Sequence, residues 1–143
     1  MTADTASDDA PIEGRTIAEG VAEGEVLISP EPISFYGAVD TETGEFIEED
    51  HHLTGENIAG KVLIFPKGKG STVGSYVIYG LAQEGTAPAA IVNHETETIV
   101  ATGAILGEVP CIDEVPDAVS RFSDGERVRI DATAGTITRL DDE

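Results

Sequence analysis

Residues 62–72 have the sequence Val-Leu-Ile-Phe-Pro-Lys-Gly-Lys-Gly-Ser-Thr. The first four residues are all apolar, which is typical of a strand covered on both faces, and the proline after them ends the run. From Ser71 to Gln83 the apolar residues recur at helical spacing, and Gly85 follows as a stop signal. A second apolar run, residues 87–92, predicts another buried strand. The segment therefore predicts a strand, a glycine loop, a helix and a strand.

This unit favours two parallel strands joined by a helical crossover, because parallel neighbours need a long connection. Antiparallel structure is predicted on either side of it. Residues 127–131 and 136–140 alternate in polarity around the turn Ala134-Gly135, which predicts a terminal hairpin. Further predicted elements are a strand within 22–29, a hairpin-like turn at 40–44, a short helix around 99–105 and a short strand at 109–112. The fold class expected is α/β, mostly β, with sheet packed on sheet and few helices.

The chain of 143 residues fits one domain. Residues 1–12 are polar and acidic and predict a disordered tail. Residues 13–140 are expected to form the single domain, and residues 141–143 a frayed end. The N-terminus has no basic and then apolar segment of the kind that secretion signals need, and no apolar run approaches the ~20 residues that cross a bilayer. A soluble cytoplasmic protein without membrane contact is expected.

The charge balance is extreme, with 28 acidic residues against 8 basic ones and a formal net charge of −20. Such self-repulsion destabilises a compact state in dilute buffer, and molar salt removes most of it. Adaptation to high internal salt is therefore the favoured interpretation, and a partner with a basic face is the alternative. Nucleic acid is disfavoured as a partner, because it needs clustered Lys and Arg.

The chain contains one cysteine and three histidines, Cys111, His51, His52 and His94. A lone cysteine excludes an internal disulfide and a cysteine-ligated cluster held by this chain alone. Its apolar context favours a buried side chain over a reactive thiol. Adjacent histidines do not make a metal site by themselves, and His51 and His52 are expected to be solvated turn residues. His94 follows a buried strand, where α/β folds often bind ligands, and is a weak candidate.

The glycine loop is the strongest candidate site. Its glycines allow close approach of a ligand to the backbone, and Ser71 and Thr72 are good helix caps. A helix N-terminus attracts phosphate or carboxylate, and Lys67 and Lys69 add positive charge to an acidic chain. The bland alternative is a capped helix after a flexible turn. The pattern of a P-loop is absent.

Several blocks together resemble one known family. Residues 31–40, Glu-Pro-Ile-Ser-Phe-Tyr-Gly-Ala-Val-Asp, resemble a segment of the aconitase X swivel domain, which is also found as a separate small subunit. The blocks at 58–66, 68–76 and 85–91 resemble the same family, in the same order, over roughly residues 14–131. Where the family often has a second serine this chain has Thr72, and His52 stands where a proline is common.

The resemblance implies a swivelling β/β/α domain of the aconitase superfamily that works with a larger subunit as a hydro-lyase. That subunit would carry a [4Fe-4S] cluster and most of the substrate pocket. The archaeal branch dehydrates (R)-5-phosphomevalonate to trans-anhydromevalonate 5-phosphate in a mevalonate route to isoprenoids. By its position in the motif, Ser71 is the implied base. The implied binding residues for the phosphorylated hydroxy acid are Gly68, Lys69, Gly70 and Thr72.

Two alternatives remain open. Some relatives of the family dehydrate cis-3-hydroxy-L-proline, which would keep the chemistry and change the substrate. The terminal hairpin also resembles the end of phosphohistidine swivelling domains, which would make the chain a phosphotransfer module rather than an enzyme subunit. A phosphotransfer module of this kind needs a histidine near a Thr- and Gly-rich turn, and His94 is not near such a turn.

Overall fold

The computed structural model describes residues 11–69, 72–115 and 117–140. The strands are β1 (Ile12–Glu13), β2 (Arg15–Ala18), β3 (Val21–Ile28), β4 (Val62–Phe65), β5 (Ala90–Asn93), β6 (Cys111–Asp113), β7 (Arg127–Asp131) and β8 (Thr136–Arg139). The helices are α1 (Val73–Glu84), α2 (Thr98–Gly107) and α3 (Ala118–Arg121). None of these three helices has the length and hydropathy that a bilayer crossing needs.

Four consecutive strands, β3 to β6, run parallel and adjacent, with α1 crossing from β4 to β5 and α2 from β5 to β6. The parallel pair and helical crossover predicted from residues 62–92 are therefore confirmed. β7 pairs antiparallel with β3, and β8 with β7, which confirms the terminal hairpin. Gly85 ends α1 in the left-handed conformation, with φ of 79°. β4 and β7 have the predicted ends, and the ends of the other predicted helices and strands differ by up to three residues.

The eight strands lie in the order β1-β8-β7-β3-β4-β5-β6-β2. β1 and β2 are at opposite ends of that order, yet only Gly14 separates them in the chain. The sheet therefore closes on itself at this glycine. The N–H of Gly14 donates to the carbonyl of Gly135 at 2.8 Å, and a Cβ at this position would lie 2.6 Å from the carbonyl oxygen of Asp113. Only glycine fits the junction.

Closure creates two hydrophobic cores. Alternate side chains of β4 enter each of them: Val62 and Ile64 point into the inner core, and Leu63 and Phe65 into the outer core. The inner core lies between the two halves of the closed sheet. The outer core lies between the parallel strands and α1, α2 and the segment 29–61. The layered β/β/α arrangement that the resemblance implied is confirmed, and the fully apolar sequence of β4 follows from it.

The domain limits stay a prediction, since residues 1–10 and 141–143 lie outside the described part of the chain. Ile12, which was assigned to the tail, already belongs to β1 and pairs with Ile137.

Candidate functional site

The candidate site lies at the edge of the sheet where the parallel strands end. The carboxyl ends of neighbouring parallel strands share one edge, and ligands in α/β folds bind outside it. Here the loop after β4 leads into α1, and the loop after β5 leads into α2. The glycine loop that was predicted as the functional site therefore lies at the edge of the sheet where α/β folds bind ligands.

The loop after β4 is held in place by the loop after β3. The N–H of Ile33 donates to the carbonyl of Lys67 at 3.2 Å, and the N–H of Lys69 donates to the carbonyl of Ile33 at 3.0 Å. Gly68 lies between them and is buried. A Cβ at Gly68 would lie 2.5 Å from both Glu97 Oε1 and Val100 Cγ2. This glycine is thus required for close packing against the start of α2.

Two of the five predicted site residues, Gly70 and Ser71, lie outside the described residues, so their roles stay predictions. Of the other three, Gly68 is buried, whereas Lys69 and Thr72 are exposed. Thr72 is the N-cap residue of α1, but its φ and ψ of −61° and −18° are helical and its side chain makes no capping hydrogen bond. The prediction that its hydroxyl caps the helix was wrong, because capping needs an extended N-cap backbone.

The loop keeps its positive charge. Across residues 11–69, 72–115 and 117–140, Lys67 and Lys69 enter no ion pair. Three arginines of the same part of the chain do pair with carboxylates. In a chain of net charge −20, two exposed lysines without carboxylate partners create a local site that attracts anions.

A polar network that the sequence did not reveal supports the neighbouring loop. Asp113 is fully buried and accepts hydrogen bonds from Arg15 Nε at 2.9 Å, Arg15 Nη2 at 2.8 Å and the N–H of Thr96 at 2.8 Å. The hydrogen bonds with the Asp113 carboxylate raise the pKa of Arg15 above its ordinary value. The Thr96 hydroxyl donates to Asn93 Oδ1 at 3.1 Å. The network fixes the chain just before Glu97.

Glu97 connects the start of α2 to the glycine loop that precedes α1. Its two carboxylate oxygens accept hydrogen bonds from the N–H groups of Ile99 and Val100, each at 2.9 Å, so it caps α2. The same carboxylate, together with Val100, leaves no room for a side chain at Gly68. Little in the sequence signalled this role, because glutamate is not among the preferred N-cap residues.

A cleft of about 270 Å³ runs between α1 and α2, and Thr72 lies in its wall. Its lining residues are Thr72, Ser75, Tyr76, Thr98, Ile99, Thr102 and Leu106. Ser75 Oγ is already used, since it donates to the carbonyl of Ile99 at 2.8 Å and joins the two helices. The cleft thus continues from the start of α1 along the outer layer.

The comparisons with known proteins agree with this geometry. The family model for the aconitase X swivel domain matches residues 11–139. The chain belongs to the aconitase X swivel-domain family. It is 54% identical over 127 residues to the phosphomevalonate dehydratase small subunit of Methanosarcina acetivorans, covering 88% of each chain. Its identity to the small subunit of Thermococcus kodakarensis is 51% over 131 residues, covering 92% of this chain and 97% of the relative.

A solved structure shows the same fold. The crystal structure of Thermococcus kodakaraensis aconitase X in its holo form superposes with a TM-score of 0.88 at 50% sequence identity. The match covers 92% of this chain and 99% of that chain. The swivel-domain fold predicted by resemblance is thereby confirmed by sequence and by structure.

The cysteine of this swivel domain is buried, as predicted. Burial raises the pKa of the Cys111 thiol to about 12, and its sulfur lies 3.9 Å from the hydroxyl of Thr96. A thiol with that pKa stays protonated at neutral pH and is a poor ligand and nucleophile. The residue therefore packs in the core of the swivel domain.

The histidines have local structural roles. His51 Nδ1 accepts from the N–H of Leu53 at 3.1 Å, Nε2 lies 3.2 Å from the carbonyl of Pro32, and the ring packs on Phe46. It is partly buried, not fully solvated as expected, whereas His52 is exposed. His94 Nε2 accepts from the N–H of Val119 at 3.3 Å. Among the described residues, no group of three or more His, Cys, Asp or Glu side chains is arranged to hold a metal ion.

Proposed function

We propose that this chain is the small subunit of a phosphomevalonate dehydratase, a two-subunit hydro-lyase of the archaeal mevalonate pathway. The reaction removes water from (R)-5-phosphomevalonate and gives trans-anhydromevalonate 5-phosphate. The observation that carries the proposal is the 51–54% identity to curated small subunits of that enzyme over about nine-tenths of the chain. A small subunit implies a large-subunit partner.

In this proposal Ser71 is the base. Dehydration takes a proton from one carbon while hydroxide leaves the next, and Ser71 Oγ receives that proton. A free serine is too weakly acidic for this task, so its alkoxide needs stabilisation from fixed dipoles and cations. Ser71 directly precedes Thr72, the N-cap of α1, where the positive end of the helix dipole favours negative charge. Lys69 adds a cation two residues before it.

The substrate anion is bound in this proposal by the same loop. Gly68, Lys69, Gly70 and Thr72 form the binding segment, and the exposed ammonium of Lys69 has no carboxylate partner in the described part of the chain. A net charge of −20 repels a phosphorylated substrate, so a local positive charge is needed to admit it. Lys67, exposed on the other side of Gly68, contributes to the same field.

An iron–sulfur cluster does not fit the residues of this chain. Such clusters are held mainly by several thiolates, and the one cysteine here is buried with a raised pKa. We therefore assign the [4Fe-4S] cluster to the large subunit and route no step of this chain through it. Because a phosphorylated metabolite is retained inside the cell, we assign the complex to the cytoplasm.

Reconstitution tests the proposal. The purified chain is mixed anaerobically with the large subunit of the same organism and iron, and loss of water from (R)-5-phosphomevalonate is followed by mass spectrometry. We expect activity from the complex and none from either subunit alone. Turnover of cis-3-hydroxy-L-proline instead of phosphomevalonate would identify the alternative substrate.

The Ser71→Ala variant tests the base. We expect kcat to fall by roughly 10²–10⁴-fold, the usual contribution of a general base, with the complex still assembled. Ser123→Ala, at an exposed serine in the loop before β7, is the matched control and should keep the wild-type rate. Equal rates for the two variants would remove Ser71 from the mechanism.

The phosphotransfer alternative is disfavoured by the surroundings of His94. One of its two ring nitrogens, Nε2, already accepts the N–H of Val119 and is not free to receive a phosphoryl group. Incubation with phosphoenolpyruvate and its enzyme partner should leave no acid-labile phosphate on this chain.

A further inference from the structure

The two crossover helices are almost free of charge. α1 has twelve residues and α2 has ten, and Glu84 is the single charged residue among them. The whole chain carries 36 charged residues, 28 acidic and 8 basic, in 143. A surface that lacks charge in such a chain is unusual, and depletion of charge is the compositional sign of an interface centre.

The same surface exposes large apolar side chains. Tyr76 is 70% exposed, Tyr36 61%, Leu106 50%, Val73 42% and Tyr79 40%. We call these five residues the α1–α2 face. Tyr36 belongs to it because its backbone approaches the first turn of α1 beside Gly74. Single exposed apolar residues are ordinary, whereas a group rich in tyrosine beside a cleft marks an interaction site.

The face is continuous with the candidate site. Tyr76 and Leu106 line the cleft between the helices, and Thr72 lines it too. A partner covering the face therefore lies against the start of α1, next to the loop that carries Ser71. This position suits a chain that supplies only part of an active site.

Charges at the ends of the face define the chemistry of the partner. Exposed Glu84 and Glu108 lie at the carboxyl ends of α1 and α2, where the helix dipoles add negative potential. A complementary surface is apolar at its centre and carries Lys or Arg where it meets these two glutamates. Such complementarity fixes the orientation of the partner.

We infer that the α1–α2 face is the surface on which the large subunit docks, with Tyr76 as its central anchor. The inference rests on the proposed function, which supplies the partner, and goes beyond it by naming the surface. The large subunit is expected to contribute an apolar patch that packs on Tyr76 and Leu106, together with basic residues that pair with Glu84 and Glu108.

A binding measurement between purified subunits tests the inference without relying on catalysis. Tyr76→Glu places a charge in the centre of the face, and its exposure leaves the fold intact, which circular dichroism checks. We expect the dissociation constant for the large subunit to rise at least tenfold, with Tyr76→Phe retaining wild-type binding. Val21→Glu, at a 59% exposed residue of β3 outside the face, is the matched control and should bind normally.

Equal binding by Tyr76→Glu and Val21→Glu would overturn the inference, as would absence of binding by the wild-type chain. Self-association that Tyr76→Glu abolishes, with large-subunit binding intact, would assign the face to a second copy and also overturn it. A complex that depends on Tyr76 and does not dehydrate phosphomevalonate would support the docking surface and refute the proposed function. Recovery of full kcat by Tyr76→Glu at saturating large subunit would support a role in docking alone.

Discussion

α1 and α2 cross between neighbouring strands and begin at the same edge of the sheet, yet their N-termini are built differently. At α2, Glu97 has an extended backbone with φ and ψ of −90° and 170°, and its carboxylate caps the helix. At α1, Thr72 is helical, its hydroxyl caps nothing, and the first turn contains no acidic residue. α2 thus carries its own anion, whereas at α1 the described part of the chain supplies none.

The difference indicates which of the two helix starts can bind a substrate anion. A carboxylate already occupies the positive end of α2, so a second anion there would be repelled. The start of α1 is the one preceded by lysines and by the proposed base. Variants that make the two helix starts alike, or remove what distinguishes them, test this comparison.

Gly68→Ala should have the largest effect, because Gly68 is where the loop before α1 packs against the start of α2. Its methyl group would lie 2.5 Å from Glu97 Oε1 and Val100 Cγ2, which forces both away. We expect the free energy of unfolding to fall by about 1–3 kcal/mol in denaturant titrations at constant salt. Gly80→Ala is the control, since its methyl group would meet only Thr41 Cγ2, at 3.7 Å. Equal stability of the two variants would refute the close contact.

Glu97→Ala removes the anion from α2 and leaves two amide groups without their acceptor. We expect a loss of about 0.5–2 kcal/mol of stability, the usual value for an N-cap. Glu95→Ala removes an equal charge from an exposed neighbour and corrects for reduced self-repulsion. The capping role would be contradicted if both substitutions changed the unfolding midpoint alike.

Thr72→Asp gives α1 the carboxylate that α2 has. We expect a small gain in stability, up to about 1 kcal/mol, because a negative charge is favourable at the positive end of the helix dipole. In the reconstituted enzyme, KM for phosphomevalonate should rise at least tenfold, since the new charge repels the substrate. Thr72→Asn changes the side chain without adding charge, and its KM should rise less than that of Thr72→Asp. A Thr72→Asp enzyme with unchanged KM would place the anion elsewhere.

Local patterns in the sequence predicted the parallel unit well. β4 is encoded by four consecutive apolar residues and α1 by apolar residues at helical spacing, and both patterns are visible without knowing the rest of the chain. The blocks at 31–40 and 68–76 carried the resemblance to the aconitase X swivel domain, and the matched family confirms it. Ser71 and Gly70 stay predictions, as does adaptation to high salt.

Features that depend on distant residues were not predictable. Arg15 and Asp113 are 98 positions apart, and the sequence around either residue does not predict that they pair. The closing of the sheet at Gly14 likewise depends on strands at both ends of the domain. Thr72 shows the limit of a local rule, because a residue type that favours capping adopts a backbone that prevents it.

Closure at Gly14 also determines when the sheet can be completed during synthesis. The strands flanking this glycine are synthesised first, and their partners β6 and β8 follow about a hundred residues later. Joining ends that distant costs chain entropy that grows by about 0.6 kcal/mol for each doubling of the loop. During translation the parallel unit can assemble while the inner core stays open along one seam. The nascent chain therefore exposes the edge of β3 until its last hairpin is synthesised, because β7 is the strand that pairs with that edge.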